Sequence, residues 1–440
     1  MNDTPSLEKR FYEMLMESQY WPPEQILEYQ RTQLIQLLKH AKAKVPFYKT
    51  RLEAVFKRNG EIDWDRWQEI PILKRQDLFD HRESMLAAVL PAGHGETRDY
   101  WSSGTTGLPV TVRHNGLAFL ASRAAVFRAN TWHSVDWSKM SCDCTRGNPT
   151  FAPWPDGQLG NRWGPAWDER ATGHTWHINR QVSPEQLVRF MQEKGVAYLG
   201  ARPKTAQAAA LEALRLKLPL RLDAILGHGT GITEEETEDC QRAFGARVIG
   251  LYSSTECHKV AHPCPTTGRY HVNAEIALVE IVDENDRACA MGTPGRVVIT
   301  PLLNTTQPLI RYDQGDTAIA GEQCSCGRSL PILERIIGRT AQLFHMPDGR
   351  RLSPSVPPLL KWQLGTDNWQ IAQVEPLTFE IRYVELKPAK PDAKDQIVQN
   401  MRSQLGKSIK VRFVKLDTLP LTTSSKFMEN VCELTNTDEL

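Results

Sequence analysis

Apolar positions in the opening sixty or so residues recur at helical spacing. Between Glu24 and Lys44, Ile26, Leu27, Leu34, Leu37, Leu38 and Ala41 mark one face of an amphipathic helix, which Pro46 within VPFYKTRL (45–52) ends. Leu117–Val135, rich in alanine and arginine, reads as another helix. From Val196 to Glu256 the pattern alternates between strand and helix. VAYLGARP is a short strand followed by a helix over Thr205–Leu216, and LDAILGHG is a strand and glycine-rich turn followed by a helix over Thr233–Phe244. ARVIGLYSSTE is then a strand running into a polar turn. Such alternation predicts a parallel sheet with crossover helices, whose ligands gather at the carboxyl ends of its strands. Residues 270–312 change to period two (YHVNAEIALVEIV, GRVVITPL), as antiparallel strands do. Beyond Gly338–Arg339 come strands over Gln370–Val374 and Phe379–Val384, a helix over Ala393–Leu405 and a strand over Lys410–Leu416. The expected fold class is α/β. Residues 1–338 form a large N-terminal domain of mixed and parallel sheets with helices, and residues 339–440 a small C-terminal α+β lid domain. No internal repeat or low-complexity run interrupts this order. Residues 146–168, with three tryptophans among prolines and glycines, read as a long loop. That loop is either a self-packed surface loop or a wall of a substrate pocket.

Composition adds exclusions. A chain of 440 residues exceeds what one hydrophobic core organises, which agrees with two domains. Charged residues make up 24% with a net charge of +1, so there is no polyelectrolyte argument for nucleic acid or an acidic membrane surface. No apolar run is long enough to span a bilayer. The N-terminus, MNDTPSLEKRFYEML, is charged where a signal peptide would be apolar, and a cytoplasmic location is expected. The nine cysteines are then thiols or metal ligands rather than disulfides.

Candidate chemistry lies in five stretches. WSSGTTGLPV (101–110) joins two strand-like flanks, Tyr100–Trp101 and Val110–Val112. Gly104 and Gly107 permit positive φ and close approach, and Ser102, Ser103, Thr105 and Thr106 add hydroxyl donors, so the loop is a phosphate nest or a polar hairpin. It lacks the spacing of a P-loop. YSSTE (252–256) ends a strand with a carboxylate able to hold Mg²⁺, or forms a solvated turn. PLIRYDQGD (308–316) sets an arginine beside two aspartates, an ion-paired arrangement or a sugar-binding one. LPLTTSSKF (419–427) carries Lys426, solvated or catalytic. Cys264 and His271, with Cys324 and Cys326 some fifty residues on, make a Cys₃His set suited to a closed tetrahedral zinc site. Buried free thiols are the plainer reading, and Cys257, His258 and His262 form a competing set. Cys142 and Cys144 read as structural.

In this order the stretches resemble the motifs of the adenylate-forming superfamily, and in particular its phenylacetate–CoA ligase branch. That branch has a "PFY … PilTKeDL" prelude, matched at Val45–Tyr48 and Ile70–Leu78 and read as scaffold. The resemblance implies that the Ser102–Gly107 loop binds phosphates, Thr255 contacts the α-phosphate and Glu256 holds magnesium. Tyr252 and Ser253 then border the adenine. Asp316 accepts the ribose hydroxyls, which one ionised carboxylate can do bidentately. Arg328 and Arg339 join the cofactor contacts, and Lys426 reaches over the α-phosphate as negative charge builds. Branch members also carry the CxxxxxxH…CxCGR arrangement, which implies structural Zn²⁺ on Cys264, His271, Cys324 and Cys326. The implied reaction joins a small-molecule carboxylic acid to coenzyme A at the expense of ATP, through an acyl-adenylate, with AMP and pyrophosphate released. The twelve tryptophans suit an aromatic or aryl-alkyl acid. Asp348–Gly349 is a hairpin turn or, by resemblance, the lid loop of the second half-reaction. A homodimer is compatible with all of this, and no nucleic-acid or membrane partner is implied. Departures are Leu108, Ala341, Ser425 and Glu429, and Gly227, Gly229 and Gly231 of LGHGTGIT depart from the branch's usual GAEPW-like loop, which borders adenine. They leave two alternatives: transfer to an amine or another non-CoA acceptor, and a catalytically weakened binding homologue.

Overall fold

The computed structural model describes residues 5–101, 110–145, 156–179, 182–229, 231–339, 343–352, 354, 356, 358–366, 369–419 and 430–434. Two sheets form the larger body. The first has six strands in the order Gln158–Arg162, His174–His177, Ser141–Asp143, Tyr198–Ala201, Ala224–Gly227, Arg247–Gly250, parallel except for its first edge strand. Helices Pro184–Glu193, Pro203–Leu216 and Glu234–Phe244 supply the crossovers. Two of them start where side chains pair the orphan N–H groups of the first turn: Ser183 with Gln186, and Thr233 with Glu236. Leu187, Leu199, Ala209, Ile225 and Phe244 fill the space between helices and sheet, together with Cys142 and Cys144, which are structural as expected.

One expected strand proves to be two. ARVIGLYSSTE splits into Arg247–Gly250, which closes the parallel sheet, and Tyr252–Ser254, the edge of a seven-stranded antiparallel sheet. Gly250 makes the crossing possible, because a Cβ there would sit 2.1 Å from Ile232 Cδ1. The antiparallel sheet runs Ala277–Val282, Pro294–Pro301, Tyr312–Gly321, Ile332–Arg339, Tyr270–Val272, His258–Pro263, Tyr252–Ser254. YSSTE therefore stands where the two sheets meet. Residues 146–168 are likewise not all loop, since Gln158–Arg162 pairs with His174–His177.

The helical prelude buttresses the antiparallel sheet. The helices Pro23–Lys44 and Gly116–Trp132 match the expected spans to within a few residues. Tyr48 Oη donates to the Pro308 carbonyl at 2.9 Å and receives the Ile310 N–H. Leu73 exchanges backbone hydrogen bonds with Arg311 and Asp313 at 2.8 and 2.9 Å. Arg311 itself is fully buried at φ 53, donating to the Gln68 and Ile70 carbonyls and pairing with Glu280 at 3.3 Å. It is structural, and its acidic partner is not either neighbouring aspartate.

A second core begins at Phe344. A four-stranded sheet, ordered Lys410–Lys415, Thr378–Tyr383, Trp369–Glu375, Asn430–Cys432, packs against helices Pro358–Leu364 and Ala393–Leu405. The strands Phe344–His345 and Arg351–Leu352, the helix at Pro358 and the last strand were not legible in the pattern, although the turn between those two strands was. Asp348–Gly349 is a hairpin turn, with Gly349 at φ 81 and the Met346 N–H bonded to the Arg350 carbonyl. A cavity of about 890 Å³ separates this body from the larger one, with Arg296, Thr317 and Arg335 on one side and Arg350, Leu352 and Leu405 on the other.

Candidate functional site

The carboxylates of two distant motifs meet on neighbouring strand ends. Tyr252 Oη donates to Asp316 Oδ2 at 2.7 Å, and Tyr312 Oη donates to Glu256 Oε1 at 3.1 Å. Arg75 Nη1 stands 3.7 Å from the same Glu256 oxygen. Both acids are largely buried, and each is oriented by a tyrosine from the partner motif. Tyr252 is mostly enclosed in the antiparallel-sheet core, so its contribution here is to fix Asp316. The turn reading of YSSTE also holds, because Ser254 Oγ accepts the Cys257 N–H at 3.0 Å. Among the described residues Glu256 Oε2 accepts no hydrogen bond. One oxygen fixed and one open is a donor set suited to an oxygen-loving cation that keeps its waters.

The hairpin Thr97–Trp101/Thr111–Asn115 is seated beside this pair. Its Val110 and Val112 pack with Leu73, Leu309 and Tyr312, and Trp101 is paired with Thr111. His114 Nε2 donates to the Thr255 carbonyl at 2.9 Å, which fixes the tautomer and leaves buried Nδ1 without a partner. Burial pushes the His114 imidazole down to about 4. His258, whose ring centroid lies 4.0 Å from that of His114, is pushed down to about 3 by burial and by this neighbour. Ser102, Ser103, Gly104, Thr105, Thr106, Gly107 and Leu108, together with Ala341, Ser425, Lys426 and Glu429, lie outside the described residues. Arg339 is described only through its backbone, which pairs opposite Asp316. Ser253 lies opposite Lys259 on the edge pair.

Lys259, opposite Ser253 on the edge pair, is half-buried. Its ammonium has no hydrogen bond or ion pair among the described residues, and burial lowers its pKa. His228, at the end of strand Ala224–Gly227, feels that charge, and burial pushes its imidazole down to about 4. His228 also lines a cavity of about 440 Å³ with Asp143, Trp163, His177 and Leu226. Of the tryptophans in 146–168, Trp163 lines this cavity, and Trp167 packs on Tyr12 and Phe127 at the wall of another of about 850 Å³. Tyr312, Arg75, His114, His228 and Lys259 were not singled out from sequence. Arg75 lay in a stretch read as scaffold, and His228 in a loop read only for its glycines.

The cysteine set converges. Donor atoms of Cys264, His271, Cys324 and Cys326 all lie within 4.8 Å of one another, with Cys324 Sγ 3.7 Å from Cys264 Sγ and Cys326 Sγ 3.3 Å from His271 Nε2. Burial alone would raise the Cys324 thiol, but hydrogen bonds from Thr267, Cys326 and Cys264 bring it down to about 7. Among the described residues this is the one such group, so the alternative set of Cys257, His258 and His262 does not assemble. Arg328 is a correction to its expected place among the nucleotide contacts. It stacks on Trp132 at 4.6 Å and donates to Gln19 Oε1 at 3.2 Å, beside the cysteines. Its sequence position next to Cys326 is the physical reason.

No family model and no curated protein matches the sequence. Among solved structures, the fold is that of adenylate-forming enzymes. The chain is similar to 2-hydroxyisobutyryl-CoA ligase in the postadenylation state with 2-HIB-AMP, at 19% identity and TM-score 0.71, covering 98% of this chain and 94% of that one. The thioesterification state of the same ligase, with 2-HIB-AMP and CoA, gives 0.62 over the same shares. An anthranilate CoA ligase bound to anthranoyl-AMP gives 0.54 at 12% identity, covering 81% and 76%. An O-succinylbenzoate coenzyme A synthetase from Bacillus subtilis with AMP gives 0.51 at 16%, covering 77% and 68%. Among the described residues no helix is long and apolar enough to cross a membrane.

Proposed function

We propose that the protein is an AMP-forming acid–thiol ligase, which activates a carboxylic acid with ATP and transfers the acyl group to coenzyme A. The observation that carries this reading is the convergence of Tyr252, Glu256, Tyr312 and Asp316 on one cleft beside the hairpin of the hydroxyl-rich stretch. Asp316, held by Tyr252, accepts the ribose hydroxyls. Glu256 holds the magnesium that accompanies ATP, which offsets charge between phosphate oxygens. Thr255 and Ser102–Gly107 line the phosphates, and Arg339 closes the ribose side. The acid's carboxylate is its own nucleophile, so no general base is needed, and the protein contributes alignment and charge. Lys426 acts across the α-phosphate. Residues 339–440 serve as a lid hinged to residues 1–338 across the 890 Å³ cavity and turn between the two half-reactions. Cys264, His271, Cys324 and Cys326 hold a structural zinc. Trp163 and Leu226, on the wall of the smaller cavity, support an acid with an aromatic or aryl-alkyl body.

Exchange of labelled pyrophosphate into ATP with a panel of acids tests the first half-reaction, and AMP release with CoA against amines tests the acceptor. Lys426→Ala is expected to slow exchange by roughly a hundredfold or more, the loss typical of one transition-state charge contact. Absence of exchange with every acid, or AMP release only with amines, overturns the reading.

A further inference from the structure

The 440 Å³ cavity is unlike the apolar slot that a plain aryl acid needs. It opens at the carboxyl ends of the parallel strands, where ligands of such sheets bind. Trp163, Leu226 and Cys142 give it an apolar side, but Asp143, His177 and His228 face it as well. The His228 backbone is pinned by its N–H to the Ala201 carbonyl at 3.1 Å. That contact extends the strand ladder and hangs the ring over Gly200, where a Cβ would lie 3.8 Å from Nε2. The imidazole makes no hydrogen bond among the described residues. Among the described residues His177 Nδ1 is buried without a hydrogen bond, and it lies 3.5 Å from Asp143 Oδ2. The charge of Lys259 acts on both His228 and His258. Polar groups buried against an apolar ligand lose water and gain nothing, a penalty that makes a site discriminate.

Resting on the ligase reading above, we infer that this cavity holds the acyl body of the substrate and that His228 hydrogen-bonds a hydroxyl or amino group carried on it. The preferred substrate is then a hydroxy- or amino-substituted acid with a body of about one ring, not an unsubstituted one. His228 is a specificity-determining residue. A neutral imidazole can donate to, or accept from, either substituent. Asp143 across the cavity favours an ammonium over a hydroxyl by charge.

The test is pyrophosphate exchange on matched acids: benzoate with its 4-hydroxy and 4-amino forms, and butyrate with its 3-hydroxy and 3-amino forms. The wild type is expected to use a substituted member of at least one set roughly tenfold or more better in kcat/KM than the parent acid. A lead held by 3-aminobutyrate identifies an ammonium substrate, and one held by 4-hydroxybenzoate or 3-hydroxybutyrate a hydroxyl one. His228→Leu should erase that ratio with the KM for ATP within about twofold, and His228→Gln should keep most of it. Exchange in which the parent acids equal or exceed their substituted forms, or a ratio unmoved in His228→Leu, overturns this inference and leaves the ligase reading standing. Exchange with no acid at all overturns both.

Discussion

Loss of the metal from the four-donor cluster should loosen the whole face of the larger body that it fastens. A tetrahedron with Zn–S bonds of about 2.3 Å and Zn–N bonds of about 2.05 Å has S···S edges of roughly 3.8 Å and S···N edges of roughly 3.6 Å. The 3.7 Å between Cys324 and Cys264 and 3.3 Å between Cys326 and His271 fit those edges. A disulfide would need about 2.05 Å between sulfurs. The cluster ties the segment between His258–Pro263 and Tyr270–Val272 to the turn before Ile332–Arg339, and Arg328 carries the tie to Trp132 and Gln19. Zinc present at a thousandfold its dissociation constant stabilises the fold by about 4 kcal/mol. At about 1–2 °C per kcal/mol for a body of more than 300 residues, removal lowers the melting temperature by roughly 4–8 °C. The assay is metal content by mass spectrometry with thermal melts with and without chelator. Cys324→Ala should lower both readouts and lose its response to chelator, and Cys240→Ala, in a different core, is the control. Because the Cys324 thiol is held down to about 7, its anion is favoured above that pH and lost below it. Zinc uptake by stripped protein should therefore fall as pH drops through 7. Protein purified with zinc in the medium that carries under a tenth of an equivalent, with a melt indifferent to chelator, refutes the reasoning.

Three further outcomes follow from individual contacts. Arg128 and Glu275 are paired at 2.6 Å with side chains wholly buried, so Arg128→Leu should cost about 3–5 kcal/mol in denaturant titration, much of it recovered by adding Glu275→Leu. Should the double variant lose the sum of the two single losses, the pair is not coupled. Tyr252→Phe removes the donor to Asp316, a hydrogen bond to a charged group of about 1.5–3 kcal/mol, so apparent ATP affinity in pyrophosphate exchange should fall roughly tenfold or more; an unchanged KM for ATP contradicts the assignment of Asp316. His114 stays neutral in the folded state down to about pH 4, whereas the unfolded chain takes up the proton near 6.5. The unfolded state therefore binds more protons in that window, and stability present above 6.5 declines as pH falls toward 4. The His114→Phe variant should show a flatter decline in the same denaturation series.

Much of the architecture was written in local pattern. Period-two and helical spacing set the two classes of sheet, the crossover helices and the lid elements around Ala393–Leu405, because each depends on which face of one segment is apolar. The candidate motifs were legible for a different reason: each alone also fits an ordinary turn, but their order along the chain resembles that of the adenylate-forming superfamily. What spacing cannot carry is orientation between segments. That Arg311 answers to Glu280 and Arg328 to Trp132, that YSSTE crosses from one sheet to the other at Gly250, and that Gln158–Arg162 finds an edge to pair with are outcomes of packing among residues tens to hundreds of positions apart. The sequence by itself determined the elements and the chemical groups available. Only the tertiary structure decided which groups share a cavity, and so brought His228, in a glycine-rich turn, to the same cavity as Asp143 and His177. Hydrophobic periodicity reports burial one segment at a time, whereas a site is a contact between segments, and those contacts are fixed by the whole core at once.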